Sequence, residues 1–174
     1  MGLRPTNPLL DPVAIVTAGA HGAGRELAST LASRDYAVVV TYLRDQREAE
    51  ATVESILAAS GVALAVRADI SDELDVERLF EETEAAFGGV DVLVHTAGRG
   101  ASVVYRHAAR RLRRAGTIVN VSSSEPIPPV LADELCARDI TVNGVTPGLE
   151  SPGADHGVDD LIALLDRWRR TPGA

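Results

Sequence analysis

Short apolar stretches alternate with longer amphipathic stretches along nearly the whole chain. The apolar stretches are rich in Val and Ile and have few polar interruptions, which is typical of strands covered on both faces of a sheet. They cover residues 13–18, 37–43, 63–70, 90–98, 117–123 and 140–148. The amphipathic stretches predict helices over residues 23–34, 46–60, 72–87, 101–114, 130–138 and 158–170.

This alternation predicts the fold class. In the third helix, Leu79, Phe80 and Phe87 follow helical spacing while acidic residues occupy the other face. Six strand–helix units indicate a parallel sheet with right-handed crossovers and helices on both faces, a doubly wound α/β fold of about six strands. We expect a single domain over residues 1–174, with loose ends at 1–11 and 171–174.

Composition and charge narrow the function classes. The formal net charge of −8 argues against a nucleic-acid partner, because proteins that bind phosphate backbones usually carry a basic excess. No apolar stretch approaches the roughly 20 residues of a membrane-spanning helix, and none resembles a leader, so we expect a cytoplasmic protein without a membrane partner. A single cysteine allows no internal disulfide, and no Cys/His group has metal-ligand spacing.

Residues 17–24, Thr-Ala-Gly-Ala-His-Gly-Ala-Gly, follow the first predicted strand and precede the first predicted helix. In a doubly wound fold this turn is the usual phosphate site. Glycines there permit positive φ angles and let a pyrophosphate approach the backbone at the helix amino terminus. The alternative is a purely structural turn. A P-loop is excluded, because its motif needs a Lys and all 17 basic residues of this chain are Arg.

The turn resembles the Thr-Gly-x-x-x-Gly-x-Gly signature of the short-chain dehydrogenases/reductases, with Ala18 in place of the first Gly. Four further motifs follow in the family's order: 69–72 resembles its adenine-contacting Asp, 95–98 its Asn-Asn-Ala-Gly, and 116–123 and 141–148 its fifth and sixth strand segments. The resemblance implies a Rossmann-like fold that binds a nicotinamide dinucleotide. The cofactor-binding residues that it implies are Thr17, Gly19, His21, Gly22, Ala23, Gly24, Arg44, Asp69, Ile70, Ala97, Gly98, Pro147 and Gly148.

The end of the second strand predicts which dinucleotide is preferred. NAD-preferring relatives carry an acid there for the ribose hydroxyls, whereas this chain has Thr41 and Tyr42 at the first two corresponding positions. Arg44 can pair with a 2′-phosphate, and His21 stands where NADP-binding relatives often carry a basic residue. NADP is therefore favoured over NAD. The alternative for Arg44 is a solvated surface charge.

The family's catalytic Tyr-x-x-x-Lys pair has no counterpart in this sequence. Reduction of a carbonyl leaves an alkoxide that needs a proton donor, and in the family the Tyr is that donor. Ser123 matches the family's substrate-positioning Ser. The chain contains no Lys, and the residues four positions after Tyr36, Tyr42 and Tyr105 are Val40, Gln46 and Ala109.

The missing parts point to internal deletions. Relative to the family pattern, segments are absent after Gly98, after Ser123 and after Gly148, and these segments surround the family's reacting centre. The part of the family pattern that binds the nucleotide is nearly complete in this chain. The second deletion removes the amino-terminal part of the helix that should carry the Tyr and the Lys.

The remaining catalytic candidates are Ser123, His95 and Tyr105. His95 can act as an acid or base, and the alternative is a histidine that replaces a hydrogen-bonding Asn. Tyr105 is the only tyrosine near the predicted substrate side, and the alternative is a core aromatic. We expect Cys136 to be a buried, inert thiol at the end of its helix, and His107 to lie on the solvated side of the fourth helix.

Three functions remain open. The resemblance implies an NADP(H)-dependent alcohol or carbonyl oxidoreductase. The deletions favour either a non-redox enzyme on this scaffold, such as a cyclase, isomerase or dehydratase, or an NADP(H)-sensing or interaction protein without catalysis. The expected partners are a nicotinamide dinucleotide and an unidentified small molecule, and a homo-oligomer is considered because relatives pair through their late helices. The arginines at 110, 111, 113 and 114 are expected to favour the dipole at the end of the fourth helix.

Overall fold

A computed structural model describes residues 11–96, 100–121 and 127–145, together with Ala163 and Leu165. Within these residues, six strands form one sheet in the order β3-β2-β1-β4-β5-β6, and every neighbouring pair is parallel. The strands are β1 Val13–Val16, β2 Ala37–Tyr42, β3 Val62–Arg67, β4 Val90–His95, β5 Leu112–Val121 and β6 Thr141–Val145. The predicted doubly wound parallel sheet is confirmed.

Helices cover both faces of this sheet. They are α1 Gly22–Ala32, α2 Gln46–Ala58, α3 Glu73–Phe87, α4 Ala101–Arg111 and α5 Ala132–Ala137, with a 3₁₀ turn at Pro129–Leu131 before α5. On one face, Leu27 of α1 and Ile56 of α2 pack on the sheet, and Leu165 joins the same cluster. On the other face, α3, α4 and α5 supply the buried side chains. Burial of both faces explains why the strands read as continuous apolar stretches.

The third helix shows how local sequence sets the bounds of an element. Asp72 precedes α3, and its Oδ1 accepts hydrogen bonds from the backbone N–H groups of Leu74 and Asp75, both at 3.0 Å. These bonds satisfy two donors that a helix start leaves unpaired. Gly88, with φ at 79°, ends the helix in the left-handed conformation. The predicted range 72–87 agrees with these bounds.

The fourth helix ends earlier than predicted. It ends at Arg111, and Leu112 is already extended, with φ −58° and ψ 145°, where it pairs with Val90 of β4. Residues 113–116 form a bulge before Thr117 resumes the pairing. A positive φ of 60° at Ala115 allows the chain to bend there. The amphipathic pattern therefore predicted a helix that is too long, because the pairing of Leu112 with β4 ends the helix before residue 112.

Each arginine of this region has a carboxylate partner. Arg110 and Arg111 lie in the last turn of α4 as expected, whereas Arg113 and Arg114 lie in β5. Their partners are Glu134, Glu84, Asp91 and Asp139, respectively. The hydrogen bonds that Arg111 donates to the Glu84 carboxylate raise the pKa of Arg111 above its ordinary value. The basic cluster thus joins elements of the fold.

The described residues contain neither a membrane-crossing helix nor a metal cluster. No described helix combines the length and the apolar character that a membrane span needs. In the same part of the chain, no three His, Cys, Asp or Glu side chains come together as metal ligands. Of the predicted last helix, the structure describes only Ala163 and Leu165, both of which are helical.

Candidate nucleotide-binding site

The glycine turn lies at the carboxyl end of β1, between β2 and β4. The N–H of Thr17 donates to the carbonyl of Val94 on β4 at 3.0 Å, and the N–H of Ala18 donates to Oγ1 of Thr41 on β2 at 3.1 Å. The strand order reverses at this point, because β2 and β3 extend the sheet in one direction and β4 to β6 in the other. Ligands of doubly wound folds bind in the crevice at such a point.

The three glycines of the turn have different structural roles. A Cβ on Gly24 would lie 2.5 Å from the carbonyl oxygen of Ala18, and one on Gly19 would lie 3.0 Å from Cγ1 of Val40. Gly24 is therefore needed for the close approach of α1 to the turn, and Gly19 for the close approach of the turn to β2. Gly22 has a φ of +48°, and no described atom lies within 4 Å of the place that a Cβ would take. Gly22 is therefore needed for its conformation, and its outer side is open to a ligand.

Ala18 adopts a conformation that suits glycine better. Its φ is +50°, in the left-handed region that costs a residue with a Cβ roughly 1–2 kcal/mol. The family's signature carries Gly at this position, so the substitution preserves the shape of the turn at an energetic cost.

His21 and the loop after β2 meet beside this turn. Nε2 of His21 lies 2.9 Å from Oδ2 of Asp45, and both side chains are more than half exposed. Asp45 follows Arg44, and both line an open cavity of about 640 Å³. The structure thus brings His21 and the Arg44 loop to the same edge of the sheet as the glycine turn.

Asp69 and Ile70 form a tight turn after β3. Oδ1 of Asp69 accepts hydrogen bonds from the N–H and the hydroxyl of Ser71, at 3.0 and 2.6 Å, and these bonds lower the pKa of Asp69 below its ordinary value. Gly100, at the start of α4, packs so closely on this turn that a Cβ would lie 2.7 Å from the carbonyl oxygen of Ile70. The carboxylate of Asp69 therefore stabilises the turn itself.

His95 and Tyr105 lie beneath the glycine turn, and both are fully buried. Nδ1 of His95 lies 3.1 Å from Oγ1 of Thr17, which also accepts the N–H of Thr96 at 3.0 Å. The Tyr105 ring meets the His95 ring edge to face, with centroids 5.5 Å apart. This burial favours the core alternative for both residues over contact with a substrate.

Two expectations about other side chains were wrong. Cys136 is exposed rather than buried, because α5 is a short helix whose last turn faces solvent. His107 is not on the solvated side of α4: its ring stacks on Phe80 with centroids 6.1 Å apart, and its Nε2 lies 2.9 Å from Glu73. The packing of α4 against α3 covers this histidine. The predicted site residues Ala97, Gly98, Ser123, Pro147 and Gly148 lie outside the described residues.

Comparison with known proteins decides the family. The profile described as short chain dehydrogenase matches residues 12–111, which include the glycine turn and the first four strands. The chain belongs to the short-chain dehydrogenase family.

Individual relatives agree with this assignment. An uncharacterized oxidoreductase of Methylorubrum extorquens is 33% identical over 178 aligned residues, covering 78% of this chain and 72% of the relative. A 3-oxoacyl-(acyl-carrier-protein) reductase of Staphylococcus aureus is 30% identical, covering 78% of this chain and 73% of the relative. A short chain dehydrogenase from Burkholderia cenocepacia, solved in complex with NADP, is 28% identical with a TM-score of 0.70, covering 91% of this chain and 90% of that one.

Sequence reasoning missed one residue of this short-chain dehydrogenase site. Asp45 directly contacts His21, although 24 positions separate them. The available signal was its place, one position after Arg44 and one before the first residue of α2. An Asp at that position is typical of a helix cap, so its place in the sequence does not by itself indicate a contact with the glycine turn.

Proposed function

We propose that this short-chain dehydrogenase binds NADP(H) at the glycine turn and does not carry out the family's Tyr/Lys-dependent hydride transfer. The observation that supports nucleotide binding is the geometry of Gly22. Its φ is positive and its outer side is open, so that this part of the turn forms a cradle. A bound pyrophosphate would contact the N–H groups of Gly22, Ala23 and Gly24 in the first turn of α1, where the helix dipole favours an anion. These residues fit a dinucleotide.

The preference for NADP rests on two side chains beside this cradle. Arg44 and His21 are both exposed at the edge of the turn, where a guanidinium and an imidazolium would pair with a 2′-phosphate. Thr41, at the first position where NAD-preferring relatives carry an acid, instead accepts the N–H of Ala18. The NADP complex of the Burkholderia cenocepacia relative supports the same preference.

The catalytic half of the proposal rests on what this chain offers beside the cofactor. When bound, the nicotinamide would supply or accept a hydride, but the sequence contains no Lys and no Tyr-x-x-x-Lys pair. The Methylorubrum extorquens alignment spans 178 positions while using only 78% of a 174-residue chain, so that relative carries internal residues without a counterpart here. The six residues of α5 and the short link from His95 to Ala101 also support internal deletions.

The function that these features support best is nucleotide binding without standard redox turnover, as in a sensing or interaction protein. The competing function, reduction of a carbonyl, is favoured by the similarity to the 3-oxoacyl reductase. A single pair of measurements separates them. NADPH fluorescence titration measures binding, and NADPH consumption with a panel of ketones and 3-oxoacyl thioesters measures turnover.

Gly22→Ala is the variant that tests the cradle. We expect at least a tenfold loss of NADPH affinity, because the added Cβ would occupy the approach of the pyrophosphate. Gly88→Ala is the matched control, since Gly88 also has a positive φ, 79°, but lies at the end of α3. It should show similar backbone strain and unchanged affinity. Failure of the wild-type protein to bind NADPH would refute the proposal, and rapid NADPH consumption with any carbonyl would refute its catalytic half.

A further inference from the structure

We infer that Asp45 is a specificity-determining residue of this site, which engages His21 and weakens the binding of nucleotides that carry a 2′-phosphate. The inference rests on the proposed function, because it concerns the affinity of the same site. Asp45 lies in the loop after β2, and His21 lies in the glycine turn. Their side chains meet at 2.9 Å across the open edge of the site.

The position of Asp45 makes this contact unusual. Asp45 directly precedes α2, where an Asp side chain normally accepts the backbone N–H groups of the first helical turn. Asp72 does so before α3, with two bonds at 3.0 Å. The Asp45 side chain makes no such bond in the described part of the chain, and its carboxylate is directed to His21 instead.

The charged side chains that line the cavity show which carboxylate can affect a bound phosphate. Two arginines, Arg44 and Arg47, share its lining with Asp45, Glu48 and Glu50. Glu48 is paired with Arg25 at 2.7 Å, and Glu50 accepts a hydrogen bond from Gln46 at 2.7 Å. Asp45 is the carboxylate of this lining that contacts the glycine turn.

A 2′-phosphate at this edge would compete with Asp45 for the same imidazole. The phosphate carries roughly two negative charges at neutral pH, and it would meet the Asp45 carboxylate at short range. Binding therefore requires that His21 leave Asp45, after which the Asp45 carboxylate can cap the free N–H groups of α2. A nucleotide with an unmodified ribose hydroxyl meets no such competition, so Asp45 lowers the preference for NADP(H) without lowering affinity for NAD(H).

The experiment uses two adenosine probes that differ only in the contested group. Binding of adenosine 2′,5′-bisphosphate and of 5′-AMP is measured by isothermal titration calorimetry for the wild-type protein and for Asp45→Asn. Asparagine keeps the shape and the capping ability of the side chain but removes the charge. We expect the bisphosphate to bind about threefold to tenfold more tightly and 5′-AMP to change by less than about twofold, as for one screened surface charge.

Two further variants separate a specific contact from a general charge effect. Glu50→Gln removes one carboxylate from the same cavity lining, but Glu50 contacts Gln46 rather than His21, so its effect on the bisphosphate should be smaller. In a His21→Ala background, Asp45→Asn should lose the part of its effect that comes from competition for the imidazole, and only the charge repulsion between Asp45 and the phosphate should remain. This non-additivity would not be observed if Asp45 affected only its own loop and the start of α2.

The outcomes distinguish this inference from the proposed function. If the wild-type protein binds the bisphosphate and Asp45→Asn binds it equally or more weakly, the inference is wrong and the proposed function stands. If Asp45→Asn weakens 5′-AMP instead, Asp45 is a ligand of the ribose hydroxyls and the inference is also wrong. If neither probe binds to any variant, the inference fails together with the proposed nucleotide site.

Discussion

Ala18 provides a quantitative test of the geometry of the glycine turn. Its φ of +50° costs an alanine roughly 1–2 kcal/mol, and a glycine would remove that cost. The Ala18 side chain is exposed, so its removal forfeits little apolar burial. The N–H bond to Thr41 is a backbone contact and is retained. The change Ala18→Gly therefore acts almost entirely on backbone conformation.

The opposing effect lies in the unfolded chain. A glycine has more unfolded conformations to lose than an alanine, which costs about 0.4–1 kcal/mol. At the middle of these two ranges, the combined effects predict that Ala18→Gly raises the free energy of unfolding by about 0.8 kcal/mol. For a chain of this size that corresponds to a rise in Tm of about 1–4 °C. Urea denaturation gives the free energy, and calorimetry gives the Tm.

Two alanine-to-glycine controls determine whether φ is the cause. Ala115 also has a positive φ, 60°, and Ala115→Gly should give a gain of similar sign. Ala51 is exposed within α2, where an ordinary helical alanine is favoured, and Ala51→Gly should cost about 1 kcal/mol. A loss for Ala18→Gly as large as that for Ala51→Gly would refute the reasoning, because it would mean that Ala18 is not strained.

Two further predictions concern stability. Arg138 donates to two carbonyl groups at the junction of α4 and β5, at 2.8 and 2.5 Å, so Arg138→Ala should lower the free energy of unfolding in urea by about 1–3 kcal/mol. Arg114→Ala breaks only an exposed ion pair and should cost less than about 1 kcal/mol; equal losses would contradict the role of Arg138. The lowered pKa of Asp69 means that its contribution is complete above about pH 4 and is lost as the pH falls below that value. The Asp69→Asn variant should therefore show a flatter acid-side stability profile than the wild-type protein, and an identical profile would show that this carboxylate does not contribute.

The order of elements could be predicted from the sequence, because burial of both sheet faces leaves a clear alternation. The ends of the elements were less predictable. The stretch 13–18 was expected to be a strand throughout, whereas β1 ends at Val16 because the following residues bend into the glycine turn. The predicted end of α4 was wrong for a different reason. Leu112 pairs with Val90 on β4, and the local sequence pattern does not show whether such an apolar residue belongs to the helix or to the following strand.

Within the site, the place of the glycine turn could be predicted, but its contacts could not. The motif does not distinguish the roles of its glycines. Gly22 is required for its positive φ, whereas Gly24 is required because a Cβ would collide with the carbonyl oxygen of Ala18. The contact of His21 with Asp45 spans 24 positions, and it depends on how β1 pairs with β2. Such contacts follow from the register of the sheet, which a motif does not contain.

The bond between Thr17 and His95 also bears on the order in which the protein is made. The two residues are 78 positions apart in the chain, so β1 lacks its β4 neighbour for about 4–16 s of synthesis at typical ribosomal speeds. During that interval the emerging chain can pair β1 only with β2, and the glycine turn lacks the partners on β4 that fix Thr17. A nascent chain therefore completes the contacts of the glycine turn only after β4 has been translated, so a nucleotide bound at the proposed site would assist only the folding steps that follow β4.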